Sequence, residues 1–330
     1  MNIKKCGYHG LYFPDLKIAL DGYHPEAEYL FVSHAHADHI PRNRYAKVWG
    51  TEPTLELIKL RGFTGTVHPL SFGEPLATSR FTGMLYPAGH ILGSAMIYIE
   101  SEGKSLLYTG DYRTPPSPAS EGFSAPETVD ILITEATFSL PVYKWKPHSL
   151  LKDELQTFAT EALQDGFTPV FLGYNLGKAQ EIMHLLAPLK HPVMIHGAGY
   201  NLCGVYEKYG IDLGDYSTYE RETCEGKILV APASALSNGF ASNVSKKRVA
   251  YCSGWAANES RRTQLTVDKL IPLSDHLDFF ELIDFCKKLR PEKTYITHTP
   301  NPAVVKHYLD KEGLESEFLE LKMEEEDEGV

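Results

Sequence analysis

The sequence predicts an α/β protein of two units, with the second inserted into the first. Three observations carry that expectation. Short apolar runs before residue 136 end one after another in histidine or carboxylate. Strand and helix patterns then alternate from about residue 150 to residue 252. Two apolar runs after residue 269 end in histidine again. The alternation implies a parallel sheet with crossover helices, and the return of the early pattern implies that the chain rejoins its first unit.

Taken in order, Leu11-Tyr12-Phe13 and Lys17-Ile18-Ala19-Leu20 read as strands broken by Pro14-Asp15. Asp21 follows, either as a turn residue or as a group that orients a ligand. The apolar run Tyr29-Leu30-Phe31-Val32 then delivers Ser33-His34-Ala35-His36-Ala37-Asp38-His39. His34 and His36, two apart, leave one side of an extended chain, and Asp38 and His39 follow on a turn. Imidazole nitrogen and carboxylate oxygen are ligands that zinc and manganese accept. One ion cannot easily use all four from so short a segment, but two neighbours can. One takes His34 and His36; the other takes Asp38 and His39. A pair of ions about 3.5–4 Å apart is the usual clamp for in-line displacement at phosphorus. A lone histidine is more often a packing or surface residue; the density of this run favours a metal site.

Thr51-Glu52-Pro53 opens a helix reaching Leu60. Met84 to Pro87 is a strand whose loop ends in His90. Ala95 to Glu100 and Ser105 to Thr109 form a hairpin around Glu102-Gly103, and the second arm runs on to Asp111. Val129 to Glu135 repeats the plan. His90, Asp111 and Glu135 therefore stand at strand ends, the geometry of a site built on one edge of a sheet.

The inserted unit opens with a helix over Leu150 to Leu163 and a strand over Thr168 to Gly173. Tyr174-Asn175-Leu176-Gly177-Lys178-Ala179-Gln180 starts a helix that ends near Leu186. A glycine and a lysine at a helix N-terminus suit a phosphate, seated by Lys178 and nearby backbone amides, although the spacing is not that of a Walker A loop. The alternative for Lys178 is a solvated helix-start lysine. Further strands are expected at His191 to Ile195, Ile228 to Val230 and Arg248 to Cys252, with a helix over Cys203 to Tyr209. Leu270 to His276 reads as a strand reaching a histidine, and a helix over Leu277 to Leu289 follows. Thr294 to His298 is another strand ending in histidine, followed by a helix from about Ala303 to Glu312.

The chain has 330 residues, 43% apolar and 23% charged, with net charge −11. It is not a polycation that coats nucleic acid. The balance is biased by Glu324-Glu325-Glu326-Asp327-Glu328, read as a solvated, disordered tail. Bound divalent ions would also reverse the local field at a site. Five cysteines form no CxxC pair, which argues against a disulfide framework and fits a reducing cytoplasm. No signal peptide and no membrane-spanning run are seen, so a soluble protein is expected.

With these residues in hand, the chain resembles the metallo-β-lactamase fold through His34, His36, Asp38, His39, His90, Asp111 and His298. Glu135, His276 and His298 look like the three extra motifs of its β-CASP branch of nucleases. The strings Ile133 to Trp145, Tyr174 to Gln180 and Ser253-Gly254-Trp255 look closer still to the ligase-associated DNA exonucleases. Thr299 stands where a glycine after the last histidine is common; the ligand itself is intact.

The resemblance implies an αββα sandwich over residues 1–140 and 266–330, the latter carrying the acidic tail, interrupted by a β-CASP domain over 141–265. It assigns one metal to His34, His36 and His90 and the other to Asp38, His39 and His298, with Asp111 bridging. Zinc is favoured over manganese. Asp38, Glu135 and His276 would be the catalytic group. His276 would act as general acid with Glu135 holding its imidazole, while the ions activate a water for attack on phosphorus. Tyr174, Asn175, Gly177 and Lys178 would contact substrate. Tyr143 and Trp145 could stack a base, though a core role is favoured for them. The expected function is a DNA exonuclease of repair, with a β-CASP ribonuclease of RNA maturation or 3′-end processing as the alternative. A DNA ligase and a helicase are implied partners.

Overall fold

The structure, a computed structural model, describes residues 2–7, 9–43 and 45–319; the acidic run at 324–328 lies outside them. The chain divides into two compact units. One comprises 2–144 and 276–319 of the described residues, and the other comprises Trp145–Asp275.

The first unit holds two sheets. One has the order β1 (Lys4–Lys5), β2 (Leu11–Phe13), β3 (Ile18–Leu20), β4 (Tyr29–Phe31), β5 (Lys47–Gly50) and β6 (Thr66–Pro69), with α1 (Glu52–Leu60) between the last two strands. The other begins with β7 (Leu76–Ala77), β8 (Thr82–Pro87), β9 (Ala95–Ser101), β10 (Lys104–Tyr108) and β11 (Ile131–Glu135).

The second unit is a parallel sheet crossed by helices. In chain order it contains α2 (His148–Gln164), β12 (Thr168–Leu172), α3 (Lys178–Leu186), β13 (Val193–Ile195), α4 (Gly197–Lys208), β14 (Tyr216–Thr218), β15 (Ile228–Ala231), α5 (Ala233–Ser237), β16 (Lys247–Cys252), α6 (Ser260–Leu265) and β17 (Lys269–Ile271). The strand order is β14-β13-β15-β12-β16-β17.

The expected strand into His276 stops at Ile271. Pro272 has no N–H to give the ladder, and the Leu273 N–H folds back onto the Ile271 carbonyl at 2.7 Å. The strand that does form pairs with β16, so 266–275 stay in the second unit and the chain re-enters the first at His276. There α7 (Phe279–Leu289), β18 (Lys293–Thr297), α8 (Pro302–Lys311) and β19 (Ser316–Phe318) complete the second sheet, in the order β19-β18-β11-β10-β9-β8-β7.

Strand periodicity builds the layers. Alternate residues of a strand face opposite sides. Ile97, Leu106 and Ile133 pack with Leu11, Ile18, Leu20 and Phe31 of the other sheet. Their neighbours Met96, Leu107 and Leu132 pack with Phe279, Leu282, Phe285 and Leu289 of α7 and with Val305 and Leu309 of α8. On the first sheet α1 buries Leu55, Leu57 and Ile58. The first unit is the αββα sandwich of a metallo-β-lactamase fold.

Register then places the functional edge. β10, β11 and β18 are parallel, with Tyr108 opposite Ile133 and Glu135 opposite Thr297. Their carboxyl ends align, so Asp111, Glu135 and His298 emerge along one edge. Gly110 lets this happen: it has φ +53°, and a Cβ there would stand 2.6 Å from the Ser33 Cβ.

Among the described residues no helix is long and apolar enough to cross a membrane.

The start of α7 is fixed by reciprocal capping. Asp278 Oδ1 accepts the N–H groups of Phe280 and Glu281, both at 2.8 Å, and Glu281 Oε2 accepts the Asp278 N–H at 2.9 Å. Replacing Asp278 by Ala should cost about 1 kcal/mol and lower the unfolding midpoint by about 2–4 °C. Asp278→Asn should recover most of that loss. An unchanged midpoint in the alanine variant would show that the cap contributes nothing.

Candidate metal centre

The centre is assembled from loops that leave strand ends. β4 ends at Phe31, and the chain runs through Ser33, His34 and His36 into the short turn of 3-10 helix Ala37–His39. His90 follows β8, Asp111 follows β10, and His298 follows β18. His34, His39, His90, Asp111 and His298 are all buried, at 8% exposure or less.

Four donors converge first. His34 Nε2 lies 3.2 Å from His36 Nδ1 and 3.4 Å from Asp111 Oδ2; His90 Nε2 lies 3.1 Å from His36 Nδ1 and 3.8 Å from Asp111 Oδ2. A tetrahedral shell with bonds of about 2.1 Å has donor–donor edges of about 3.4 Å. The set therefore matches the spacing such an ion requires. The same Asp111 oxygen reaches a second set: it lies 3.6 Å from His39 Nε2, which is 3.6 Å from Asp38 Oδ2. His298 joins this side, its ring 5.5 Å from that of His39.

Proton accounting shows which nitrogens carry lone pairs. Asp21 Oδ1 accepts the Ser33 N–H at 2.7 Å, and its Oδ2 accepts the Ser33 hydroxyl, the Tyr108 hydroxyl at 2.9 Å and His39 Nδ1–H at 2.8 Å. A serine hydroxyl has one proton. Ser33 gives it to Asp21, so His34 Nδ1, 2.9 Å from Ser33 Oγ, must be the donor there. Thr297 repeats the device. Its hydroxyl donates to the Thr134 carbonyl at 3.1 Å and accepts from His298 Nδ1 at 3.2 Å. In neutral His34, His39 and His298 the single ring proton is thus held on Nδ1, which leaves Nε2 as the lone-pair donor. His298 Nε2 is buried, and among the described residues it finds no hydrogen-bond partner. An uncompensated buried nitrogen is costly in an apolar interior and is the expected state of a ligand. The donor set fits divalent metal.

The electrostatics agree. Burial, with the neighbouring imidazoles, holds His34 and His298 well below the usual histidine range, so both are neutral lone-pair donors. Burial works against a charge on Asp38, but His39, His36 and His9 outweigh it and keep the carboxyl ionised. Burial also opposes a charge on His39, yet Asp38, Asp111 and Asp21 raise it to about 10. Burial pushes the Asp111 carboxyl up. The metal-free centre therefore holds protons that an ion must displace.

Beside Asp111 stands a second device. His276 Nδ1 lies 2.7 Å from Glu135 Oε1. Glu135 is 1% exposed. The Tyr112 N–H donates to Oε1 at 3.1 Å, the Thr137 N–H to Oε2 at 3.2 Å, and the Thr137 hydroxyl to Oε2 as well. Burial would raise the Glu135 carboxyl, but His276 and these donors hold it below the ordinary range. Donor atoms of Asp111, Glu135 and His276 lie within 4.8 Å of one another.

The expected substrate contacts are placed differently from one another. Tyr174 and Asn175 are half-buried in the loop after β12. Gly177 caps α3, and its N–H is taken by Gln180 Oε1 at 2.8 Å. Lys178 is fully buried; its Nζ lies 2.6 Å from Glu181 Oε2 and 3.8 Å from Asp275 Oδ2. Its charge is spent inside the second unit, so neither Lys178 nor the Gly177 amide faces solvent as a phosphate seat. Tyr143, edge-on to Phe138, and Trp145 are half-buried rather than core.

Sequence reading missed His9. It is 4% exposed, and its Nε2 lies 3.5 Å from Asp38 Oδ2. Its one local signal is a histidine beside Gly10 ahead of β2.

No family model matches the chain. Over 293 residues, 88% of the chain, it is 33% identical to a probable DNA ligase of Opitutus terrae, of which it covers 28%. Over 182 residues, 48% of the chain, it is 31% identical to an RNase J-like protein of Methanocaldococcus jannaschii, of which it covers 42%. The chain thus spans less than half the length of either relative. A solved structure of a protein of unknown function from Enterococcus faecalis shares the fold, with TM-score 0.60 at 14% identity over 90% of this chain and 80% of that one. The αββα fold and the metal-binding edge define a metallo-β-lactamase-type protein. With these relatives, the chain belongs to the β-CASP branch of that fold.

Asp21→Asn keeps the shape of the side chain, and Asn tolerates the φ of +48° at this position. It removes the acceptor that fixes His39, so affinity for Zn²⁺ or Mn²⁺ should fall about 10–100-fold with the fold retained. Ligation needs His39 neutral and Asp111 ionised, so affinity should rise with pH in both proteins. Calorimetric titration of the metal-free proteins at several pH values reads both effects. Equal affinities would remove Asp21 from the centre.

Proposed function

We propose that the chain is a metal-dependent phosphodiesterase that degrades DNA from an end, and that it holds two zinc ions. The supporting observation is the Glu135–His276 pair at 2.7 Å, set beside Asp111. Hydrolysis of small lactams or thioesters gives such a pair no evident task, whereas a phosphodiester leaves behind a sugar oxygen that needs a proton.

His34, His36 and His90 would hold one ion, Asp38, His39 and His298 the other, and Asp111 both. Bound ions there supply Lewis acidity toward a phosphoryl oxygen and a nucleophilic water at neutral pH. The chain's own residues do the rest. Glu135 accepts the Nδ1–H of His276, fixes the ring and favours its charged form. His276 Nε2 is then the nitrogen that delivers a proton to the leaving oxygen. Glu135 stays ionised while His276 cycles, because three further donors hold it. In the second unit the carboxyl ends of β12, β15 and β16 border a crevice lined by Tyr174, Pro232, Ala233, Tyr251 and Ser253. Crevices at strand ends of parallel sheets are where ligands bind. Tyr174 and Asn175 would meet the strand there, with Lys178 and Gly177 shaping the loop from beneath.

DNA is favoured because the match covering 88% of the chain is to part of a protein named a probable DNA ligase. A match to part of a protein named a probable DNA ligase suggests a ligase as partner, and a helicase would supply the single strand. The second reading, RNA processing, is favoured by the relative named RNase J-like. The metals do not separate them; a contact to a 2′-hydroxyl would. A cytoplasmic location fits either.

His276→Ala should lower turnover on end-labelled single-stranded DNA about 10²–10⁴-fold while metal content stays that of the parent. Matched RNA of the same sequence should be cut more slowly by the parent. Loss of metal in the variant would make His276 a ligand and end its role as acid. Discrete internal cuts confined to RNA would favour the second reading.

A further inference from the structure

We propose that His9 is a positioning residue of the second ion site, where it fixes Asp38 for metal. The inference rests on the two-ion reading above.

Asp38 is the weak point of the centre. It sits in a one-turn 3-10 helix without a side-chain cap, and its side chain is 32% exposed against 9% for Asp111. Among the described residues, three imidazoles lie within 4 Å of Asp111 Oδ2. Those paired with Asp38 Oδ2 are His39 at 3.6 Å and His9 at 3.5 Å. A carboxylate so placed would turn toward water unless something faced it from the protein side. His9 does: its ring lies parallel to that of His39, at 5.5 Å and 9°, and packs at 4.4 Å on that of His298. One imidazole thus touches all three residues expected to hold the second ion. Its Nε2 faces the same Asp38 oxygen, Oδ2, that His39 Nε2 meets, so it holds the carboxylate on the side of the second donor set.

The backbone that delivers His9 leaves little slack. The loop closes through the Cys6 N–H and the Gly10 carbonyl at 2.9 Å. Gly10 packs on Gly22 so closely that a Cβ at residue 10 would lie 2.4 Å from the Gly22 Cα. Gly22 follows Asp21, which orients His39. The loop is therefore fastened to the same turn that aims a ligand of the second site.

The test is metal binding by the full chain. Metal-free parent, His9→Phe and His9→Gln are titrated with Mn²⁺ by calorimetry, with ion content checked by elemental analysis. Phe keeps the ring packing and removes the donor; Gln returns a donor. The parent should bind two ions. His9→Phe should bind the first as the parent does and the second about 10–100-fold more weakly, and His9→Gln should recover most of that loss. A second ion bound normally by His9→Phe, equal weakening of both ions, or no recovery with Gln would each overturn the proposal. A parent that binds a single ion would instead overturn the two-ion reading beneath it.

Discussion

A hydroxyl carries one proton, and the centre depends on where two hydroxyls spend theirs. Ser33 gives its proton to Asp21, and Thr297 gives its proton to the Thr134 carbonyl. Each oxygen can then only accept from the adjacent histidine, so His34 and His298 must keep their protons on Nδ1. Asp21 imposes the same state on His39 directly. The lone pairs of His34 and His298 are thereby presented before any ion arrives, and His39 adds a third once it gives up the proton that its carboxylate neighbours hold on it. The rest of the first unit serves this arrangement. Parallel register aligns the ends of β10, β11 and β18, and Gly110 admits Ser33 at close range.

Preorganisation has a cost that only metal can offset. Buried imidazoles crowd one another, and buried carboxylates resist ionisation. A cluster of this kind weakens a metal-free fold and becomes stable when divalent charge neutralises it. The Glu135–His276 pair is different in kind. It is complete without an ion, since three donors hold the carboxylate and that carboxylate holds the imidazole. The structure therefore separates a part that waits for metal from a part that does not, as a division between binding ions and moving protons would require.

Much of the site could be read in the sequence because strand ends are local features. A run of β-formers followed by His90, Asp111 or Glu135 announces both the strand and the residue at its tip. The sandwich itself shows as two-residue periodicity in Leu106-Leu107 and Leu132-Ile133, whose alternate members enter separate cores. What could not be read was set by tertiary contact. His9 joins its neighbours only through the packing of Gly10 on Gly22. Ser33 and Thr297 look like ordinary strand-end hydroxyls until Asp21 and Thr134 are placed opposite them. Lys178 is instructive in the other direction. Its position at a helix start suggested an exposed cation, but Glu181 lies one turn on and turns the ammonium inward. Charge pattern along a helix does not tell which face is buried. The strand toward His276 failed for a local reason, the missing donor of Pro272.

The most direct test of the account is to locate the ions. Crystals of the protein loaded with Zn²⁺, with data collected on both sides of the zinc absorption edge, give anomalous difference peaks at metal positions. The account predicts two peaks flanking Asp111, one among His34, His36 and His90 and the other among Asp38, His39 and His298, with Glu135 and His276 outside both. A single peak, or a peak ligated by His276, would contradict it.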